Sequence, residues 1–458
     1  MSEETPKRYF PPLPPPPGTT LDGAFPPRLR VNALLSLFRD RSSLLELTTP
    51  KGDSFAAFPA KENSPAVGQL YLDELATSLH GKDPFTEQQQ KTRATFLATV
   101  RSHGPYIAIP SLDLLDKAVD ELAFAAIQQA VNDDPEHPRV GWVSAPPRTW
   151  RSVALPVPGG RYGDNPDRVY RTVPINGSRN YLIRGKRAGA TPTDLSFSLT
   201  DNSPARNTVA ILTGTGLVLD DDGSFTISIS PNASSSPNHL QSNASVNLLF
   251  VRYNIGDWIS ESVDSLDVLL DDHEPATIEL NNTAFLAKAR QYFQEITLGI
   301  AFALNATYSN AVQALGHYNL NADEALVVTI KPGKADYLSL SVTSWLKTVD
   351  PRNQPISLNN KQAAFNSDGT CTVVLSAADP GVSNWLKTAE QGVGTMSLRL
   401  QGVHLGQNTK GDIAVSTQVC AVKHLSSVLA ADTTFITPEQ QKNQLDVRAE
   451  GYDKIHSQ

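Results

Sequence analysis

Two stretches of alternating residues, about 145 positions apart, constrain this chain more than any other feature in it. The first runs Leu195-Ser-Phe-Ser-Leu-Thr200 and then Asp222-Gly-Ser-Phe-Thr-Ile-Ser-Ile-Ser230. The second runs Leu338-Ser-Leu-Ser-Val-Thr343 and then Asp368-Gly-Thr-Cys-Thr-Val-Val-Leu-Ser376. A period of two sends successive side chains to opposite faces, so each run predicts strands with one apolar and one polar face. The Asp-Gly pair in each is a tight-turn signal, because glycine tolerates positive φ. A further strand precedes each pair, Asn180–Arg184 in one and Ala325–Ile330 in the other. The shared order and spacing predict two related β domains in tandem. The repeat is too long for a solenoid, whose units span about 20–50 residues.

At 458 residues the chain has room for two or three domains. Its 33 prolines suit loop-rich β structure better than a helical bundle. A formal net charge of −8 weighs against nucleic-acid partners and anionic membrane surfaces, both of which need a basic face. The two cysteines, Cys371 and Cys420, make no disulfide framework. Met1-Ser-Glu-Glu-Thr-Pro-Lys-Arg8 carries no apolar secretory core, and the apolar patch Ile296–Ala306 falls short of the ~20 residues a membrane span takes. The expected location is therefore cytoplasmic.

In chain order, residues 1–30 read as a proline-rich arm of polyproline II character, either draped on its own fold or docked on a partner. Residues 31–147 read as a helical region, with helices at 34–47, 86–97 and 112–127. In the last of these Leu114, Leu115, Val119, Leu122, Ala123 and Ile127 share one face. Residues 148–281 form the expected first β domain, with strands at 151–157, 168–175, 179–186, 195–200, 207–213, 216–220, 224–230 and 245–253. A linking helix is expected in 282–318, a second β domain over 319–430 and a polar tail over 431–458. The fold class is mainly β (α+β): two tandem antiparallel β-sandwich or jelly-roll-like domains, an N-terminal helical layer and one long linking helix.

Local chemistry motifs are scarce. No two of the nine histidines lie within six residues, so no local metal pair forms, and no metal or other cofactor is expected. Neither a nucleophile elbow nor a Walker loop is present. A basic group, Arg161, Arg168, Arg171, Arg179, Arg184, Lys186 and Arg187, stands out in an acidic chain. It can either bind an oxyanion or guard strand edges. The best pocket candidates are aromatic and polar: Tyr253, Asp257, Trp258, His317, Tyr318, Trp345, Asn384, Trp385 and Arg399. Arg399 lies between Leu398 and Leu400, so it faces away from its domain's core.

The run Asp336-Tyr337-Leu, Trp345, Asp350-Pro-Arg-Asn-Gln-Pro-Ile-Ser-Leu-Asn-Asn360, Asp368-Gly369, Asp379-Pro-Gly381, Asn384-Trp-Leu386, Gly394-Thr-Met396 and Arg399 resembles the domain-of-unknown-function family numbered twelve-fourteen. Asp164-Asn-Pro-Asp-Arg-Val-Tyr170 and Arg179-Asn-Tyr-Leu-Ile-Arg184 look like the upstream block of its long members. The resemblance spans about 150–420 and departs at Leu400, where the family pattern has a tryptophan. It implies antiparallel β-sandwich domains and no particular activity.

The leading expectation is a cofactor-independent enzyme acting on a small, largely apolar organic molecule between the β domains. A cyclase or pericyclase of secondary metabolism would fit, since orientation alone lowers such barriers. Arg399, His317, Tyr318 and Asp257 would be catalytic, and Trp345, Trp385, Asn384, Tyr253 and Trp258 would hold the substrate. Two alternatives stand beside it. One is a hydrolase or lyase pairing His317 or His404 with Asp257. The other is a non-catalytic double sandwich that binds glycans or proteins. A homo-oligomer stays open.

Overall fold

The computed structural model describes residues 65–80, 86–102, 112–143, 148–149, 156–159, 165–203, 206–270, 282–305, 308–309, 313–344, 350–389, 392–403 and 412–456. The proline-rich arm, the expected helix at 34–47, Trp345 and His404 lie outside them.

The strands of the first half are β1 (Gly141–Val143), β2 (Arg148–Thr149), β3 (Pro156–Val157), β4 (Arg168–Pro174), β5 (Tyr181–Lys186), β6 (Asp194–Asp201), β7 (Thr208–Thr213), β8 (Ser224–Ser230), β9 (His239–Gln241), β10 (Val246–Asn254) and β11 (Ser265–Leu270). Those of the second half are β12 (Tyr308–Ser309), β13 (Gln313–Asn319), β14 (Glu324–Pro332), β15 (Tyr337–Ser344), β16 (Ser357–Asn359), β17 (Cys371–Ser376), β18 (Trp385–Lys387), β19 (Val393–Gln401) and β20 (Ile413–Ala421). Apart from the small β2-β3 ribbon they build two sandwiches. The first packs sheet β1-β4-β10-β6-β7 on sheet β11-β5-β8-β9. The second packs β12-β13-β19-β15-β16 on β20-β14-β17-β18. The two orders correspond strand for strand, down to the parallel pairings of β8 with β9 and of β17 with β18. The tandem relation expected from two alternating runs therefore extends to nine strands in each half.

Register makes the correspondence residue-specific. Phe197 faces Val251 as Leu340 faces Leu398, and Ile183 faces Ile227 as Val328 faces Val373. The turns Asp222-Gly223 and Asp368-Gly369 carry glycine at φ +80° and +79°, which is why both need glycine. Apolar members of each alternation fill the sandwich interiors; Phe197, Leu199, Ile227 and Leu249 in one and Leu340, Val342, Val373 and Leu398 in the other are buried. One packing solution differs. Gly185 lies opposite Phe225, and a Cβ on it would fall 2.1 Å from the phenyl ring. The matching pair in the second sandwich is Ile330 with Cys371. The large and small partners have exchanged strands at a nearly constant volume.

The helices are α1 (Pro65–Leu79), α2 (Thr86–Ser102), α3 (Leu112–Val131), α4 (Asn282–Asn305) and α5 (Pro438–His456). The first four share one core around Leu79, Phe96, Leu122, Phe124 and Phe293. The expected stripe on α3 is buried there, with Leu114 at its edge. The α4 helix is therefore part of the helical layer as well as a connection between sandwiches.

Several expectations change. The second sandwich begins before residue 319, because the linking helix ends at Asn305 and His317 and Tyr318 stand on β13. Residues 31–147 contribute β1 to the first sandwich, where it pairs with β4. The stretch 216–220 forms no strand, while β9 and β11 escape the period count. Both are edge strands with weak alternation. The polar tail holds α5, which docks through Gln441, Arg448, Tyr452 and Ile455. Spacings of three and four put these on one face, though their average polarity conceals the stripe.

Candidate functional site

The outer face of each five-stranded sheet is the polar one, and the two outer faces meet. Asn254 ends β10 and Gln401 ends β19, at equivalent positions of the two sandwiches, and their side chains hydrogen-bond each other. The same Asn254 accepts from Arg168 Nε (2.9 Å) and donates to Asp194 (2.6 Å). Asn165 Nδ2 donates to the Tyr337 hydroxyl at 3.2 Å, and Asn359 Nδ2 donates to the Ile255 carbonyl at 3.2 Å. The fit is polar because both faces descend from the Ser/Thr rows of the repeat.

Helix α5 clamps this seam. Arg448, buried, donates to Asp167 Oδ1 and to the Ser357 carbonyl, each at 2.9 Å, and to the Ser357 hydroxyl. Asp167 belongs to the first sandwich and Ser357 to the second, so one guanidinium ties both to the C-terminal helix. Trp258 Nε1 also donates to Asp167 (3.3 Å), and its ring stacks on Tyr452 with centroids 4.3 Å apart. Removing one partner of a buried ion pair costs about 3–5 kcal/mol, because the other charge is stranded.

Beyond the clamp the outer faces of the two five-stranded sheets carry Ser196, Ser198, Thr200 and Arg252 in the first sandwich, and Ser339, Ser341, Ser397, Arg399 and His317 in the second. The serines of β6 and β15 are buried. Arg252 lies opposite Ser196 and Arg399 opposite Ser339, which makes the two arginines equivalent members of the duplication. Both are half-buried, and Arg252 Nε makes no hydrogen bond among the described residues.

The sequence-predicted residues are dispersed. Arg399 and His317 share the outer face of one sheet, and Trp258 reaches the seam. Tyr253 lies inside the first sandwich and Tyr318 inside the second. The Tyr318 hydroxyl accepts from Ala389 N (2.9 Å) and donates to the Thr343 carbonyl (3.3 Å), and burial raises its pKa well above the usual phenol range. Asn384 forms a corner, exchanging hydrogen bonds with the Ala364 backbone and donating to the Thr372 carbonyl. It borders a cavity of ≈ 10 Å³, about one water. Trp385 packs with Val374, Val382 and Leu425 on the far side of the four-stranded sheet. Asp257 caps its own turn through Ser260 Oγ (2.6 Å) and Ile259 N (2.9 Å), and these bonds hold its carboxyl below the usual range.

Arg252, Asp167 and Arg448 were missed. Extending the repeat to a fourth strand aligns Arg252 with Arg399. Nothing local marks Asp167 and Arg448, which are 281 residues apart. A second buried polar group lies where the helical layer meets β1. Gln69 and Gln128 donate to Asp73 at 2.8 and 2.9 Å, beside a cavity of ≈ 30 Å³. Among the described residues no three His, Cys, Asp or Glu side chains gather as metal ligands, and no helix is long and apolar enough to cross a membrane.

An uncharacterised protein from Burkholderia cenocepacia has a similar fold, with a TM-score of 0.59 at 21% identity, covering 78% of this chain and 99% of that one. A protein from Vibrio parahaemolyticus is more distant, at a TM-score of 0.37 and 9% identity over 56% of this chain and 89% of that one. No curated protein matches the sequence. Residues 305–404, from the end of α4 through β19, match the family described as protein of unknown function (DUF1214), the same C-terminal block that carries the resemblance in the sequence.

Proposed function

We propose that the protein is a cofactor-independent enzyme that acts on a small organic molecule bearing a carbonyl or carboxylate, held between its two sandwiches. The observation that carries this reading is the equivalent pair Arg252 and Arg399 on the meeting outer faces, each set among serines. A guanidinium offers a planar fork of donors that matches a carboxylate or a developing oxyanion. Donors fixed in a water-poor seam stabilise charge as it forms, without reorganising at the moment of reaction. His317, on the Arg399 face, supplies a titratable group. A cyclisation or related rearrangement of secondary metabolism needs little more than this, because the walls would align the reacting ends. The hydrolase alternative gains nothing from Asp257, whose carboxylate is spent on its turn.

The test is untargeted. Wild-type and Arg399→Leu protein are incubated with a mixture of small carbonyl and carboxylate compounds, and consumption is followed by mass spectrometry. The reading expects at least one compound consumed by the wild type and about a hundredfold more slowly by the variant, the scale of losing one oxyanion donor. Equal consumption by both, or none by either, contradicts it.

A further inference from the structure

The edge of a sheet is an open row of backbone donors and acceptors, and proteins blunt it with shortness, charge, proline, a bulge or a cover. Among the described residues the sandwich edges follow that rule with one exception. β1, β9, β16 and β18 have three residues each, and β12 has two. β7 is bulged against β6, between Leu199 and Thr200. β11 carries Asp267 and has α1 packed nearby. β20 has none of these protections. It is nine residues long and pairs with β14 without a register shift. Its sequence, Ile413-Ala-Val-Ser-Thr-Gln-Val-Cys-Ala421, contains no charge, proline or glycine. Residues 414–419 are all exposed, with Val415 at 46% and Val419 at 51%.

One hydrogen bond fixes which backbone groups of β20 are open. Just past the strand, Val422 N donates to the Asp323 carbonyl at 2.8 Å, one step beyond the Ala421–Glu324 pair. In an antiparallel pair the hydrogen-bonded positions alternate along the strand. Ala414, Ser416, Gln418 and Cys420 therefore turn their amides and carbonyls toward β14. Those of Ile413, Val415, Thr417, Val419 and Ala421 point away from it. Val415, Thr417 and Val419 lie opposite Ile330, Val328 and Leu326, which are core residues of the second sandwich. The open backbone positions are thus the ones whose side chains share the core face.

We propose that β20 pairs with β20 of a second copy of this chain, antiparallel, about a two-fold axis at Thr417. The axis sets Thr417 opposite itself, Val415 opposite Val419 and Ile413 opposite Ala421 of the other copy. Each of these positions has its backbone turned outward, so the ladder continues across the axis without a break. The facing valines form a cross-strand apolar pair on each side of it. No like charges meet within the strand. At its ends the same axis brings Asp412 to the Val422-Lys423 end of the other copy, where opposite charges face. A second copy is the fitting occupant because the strand is complementary to itself, as a two-fold interface requires. Joined in this way, the two four-stranded sheets become one of eight strands. A lone strand pair buries less than the ~1,000 Å² of a stable interface, so the dimer half-forms on the order of 10–100 µM. At about 1 µM the edge is free. The pairing does not depend on the reading given to the seam.

The experiment is sedimentation of the full chain from about 1 to about 200 µM, across the expected midpoint. The mass of the wild type is expected to rise from one chain toward two. Val419→Lys puts a charge into the ladder and is expected to weaken the dimer about tenfold or more while leaving the circular dichroism unchanged. The axis is tested by cross-linking under copper-phenanthroline in a Cys420→Ser background. Thr417→Cys is expected to form a disulfide dimer, because residues paired at the axis have Cα atoms about 5.5 Å apart, within disulfide reach. Val415→Cys is expected not to, since its two copies lie about 13 Å apart along the strands. A wild type that stays monomeric throughout overturns the proposal, as when hydrogen exchange shows the Val415, Thr417 and Val419 amides covered by the chain itself. So does a dimer indifferent to Val419→Lys, or equal cross-linking of the two cysteine variants.

Discussion

The two sandwiches have one plan and two interiors. Nine strands match in order and register, yet the positions that are apolar in the second, Ala314, Leu400 and Ile413, are Arg171, Tyr253 and Asp264 in the first. Their edges differ as well. Strand β11 is buried on its inner side at Leu266 and Val268, where α1 packs nearby, while the equivalent β20 leaves Val415 and Val419 about half exposed. Duplication lets one copy keep the plain solution to folding while the other accepts groups that folding does not need. The copy that departs from the plain solution is the place to look for chemistry.

The largest effect expected is at the exchanged core pair. Gly185→Ile drives a branched side chain into the Phe225 ring and is expected to cost more than about 4 kcal/mol. Phe225→Cys alone leaves a cavity and costs about 3–5 kcal/mol. The double variant reproduces the Ile330–Cys371 pair of the second sandwich and is expected to be more stable than either single variant, with a coupling of about 2–3 kcal/mol in urea unfolding. Additive losses would break the equivalence of the two copies. The edges give a smaller contrast. Val268→Lys buries an unpaired charge and is expected to cost about 2–4 kcal/mol, while Val419→Lys on the exposed equivalent edge stays within about 0.5 kcal/mol. Equal costs would show that β20 is covered in solution.

Much of the fold was legible in the sequence because alternation is a local signal. Leu195 to Thr200 and Leu338 to Thr343 reveal both their faces and their kinship within six residues each. β9 and β11 were not legible, since short edge strands are defined by the neighbour they pair with. The tail was misread because Arg448 counts as polar in any average, although a buried carboxylate on another domain makes it a core residue. The candidate site was legible in part. Arg399 was placed on an outward face by the leucines on either side. Tyr318 and Asn384 have the residue types of a site but spend their polar atoms on backbone, which depends on contacts up to 71 residues away. The basic group near Arg171 was visible as composition. Its division into an outward Arg168 and an inward Arg171 needed the register of β4.

The central claim is that the two sandwiches share one plan, so the charged cluster of the first is not required by its fold. Its most direct test is the urea unfolding free energy of a chain carrying Arg171→Met, Arg187→Met, Tyr253→Leu and Asp264→Leu together, which makes those four positions apolar, as Ala314, Pro332, Leu400 and Ile413 are in the second copy. The account predicts a folded, cooperative protein as stable as the wild type or more stable by about 1–4 kcal/mol, as found when buried ion clusters give way to packed apolar groups. A loss of 3 kcal/mol or more, or failure to fold, would contradict it and make the cluster a structural element of the first sandwich.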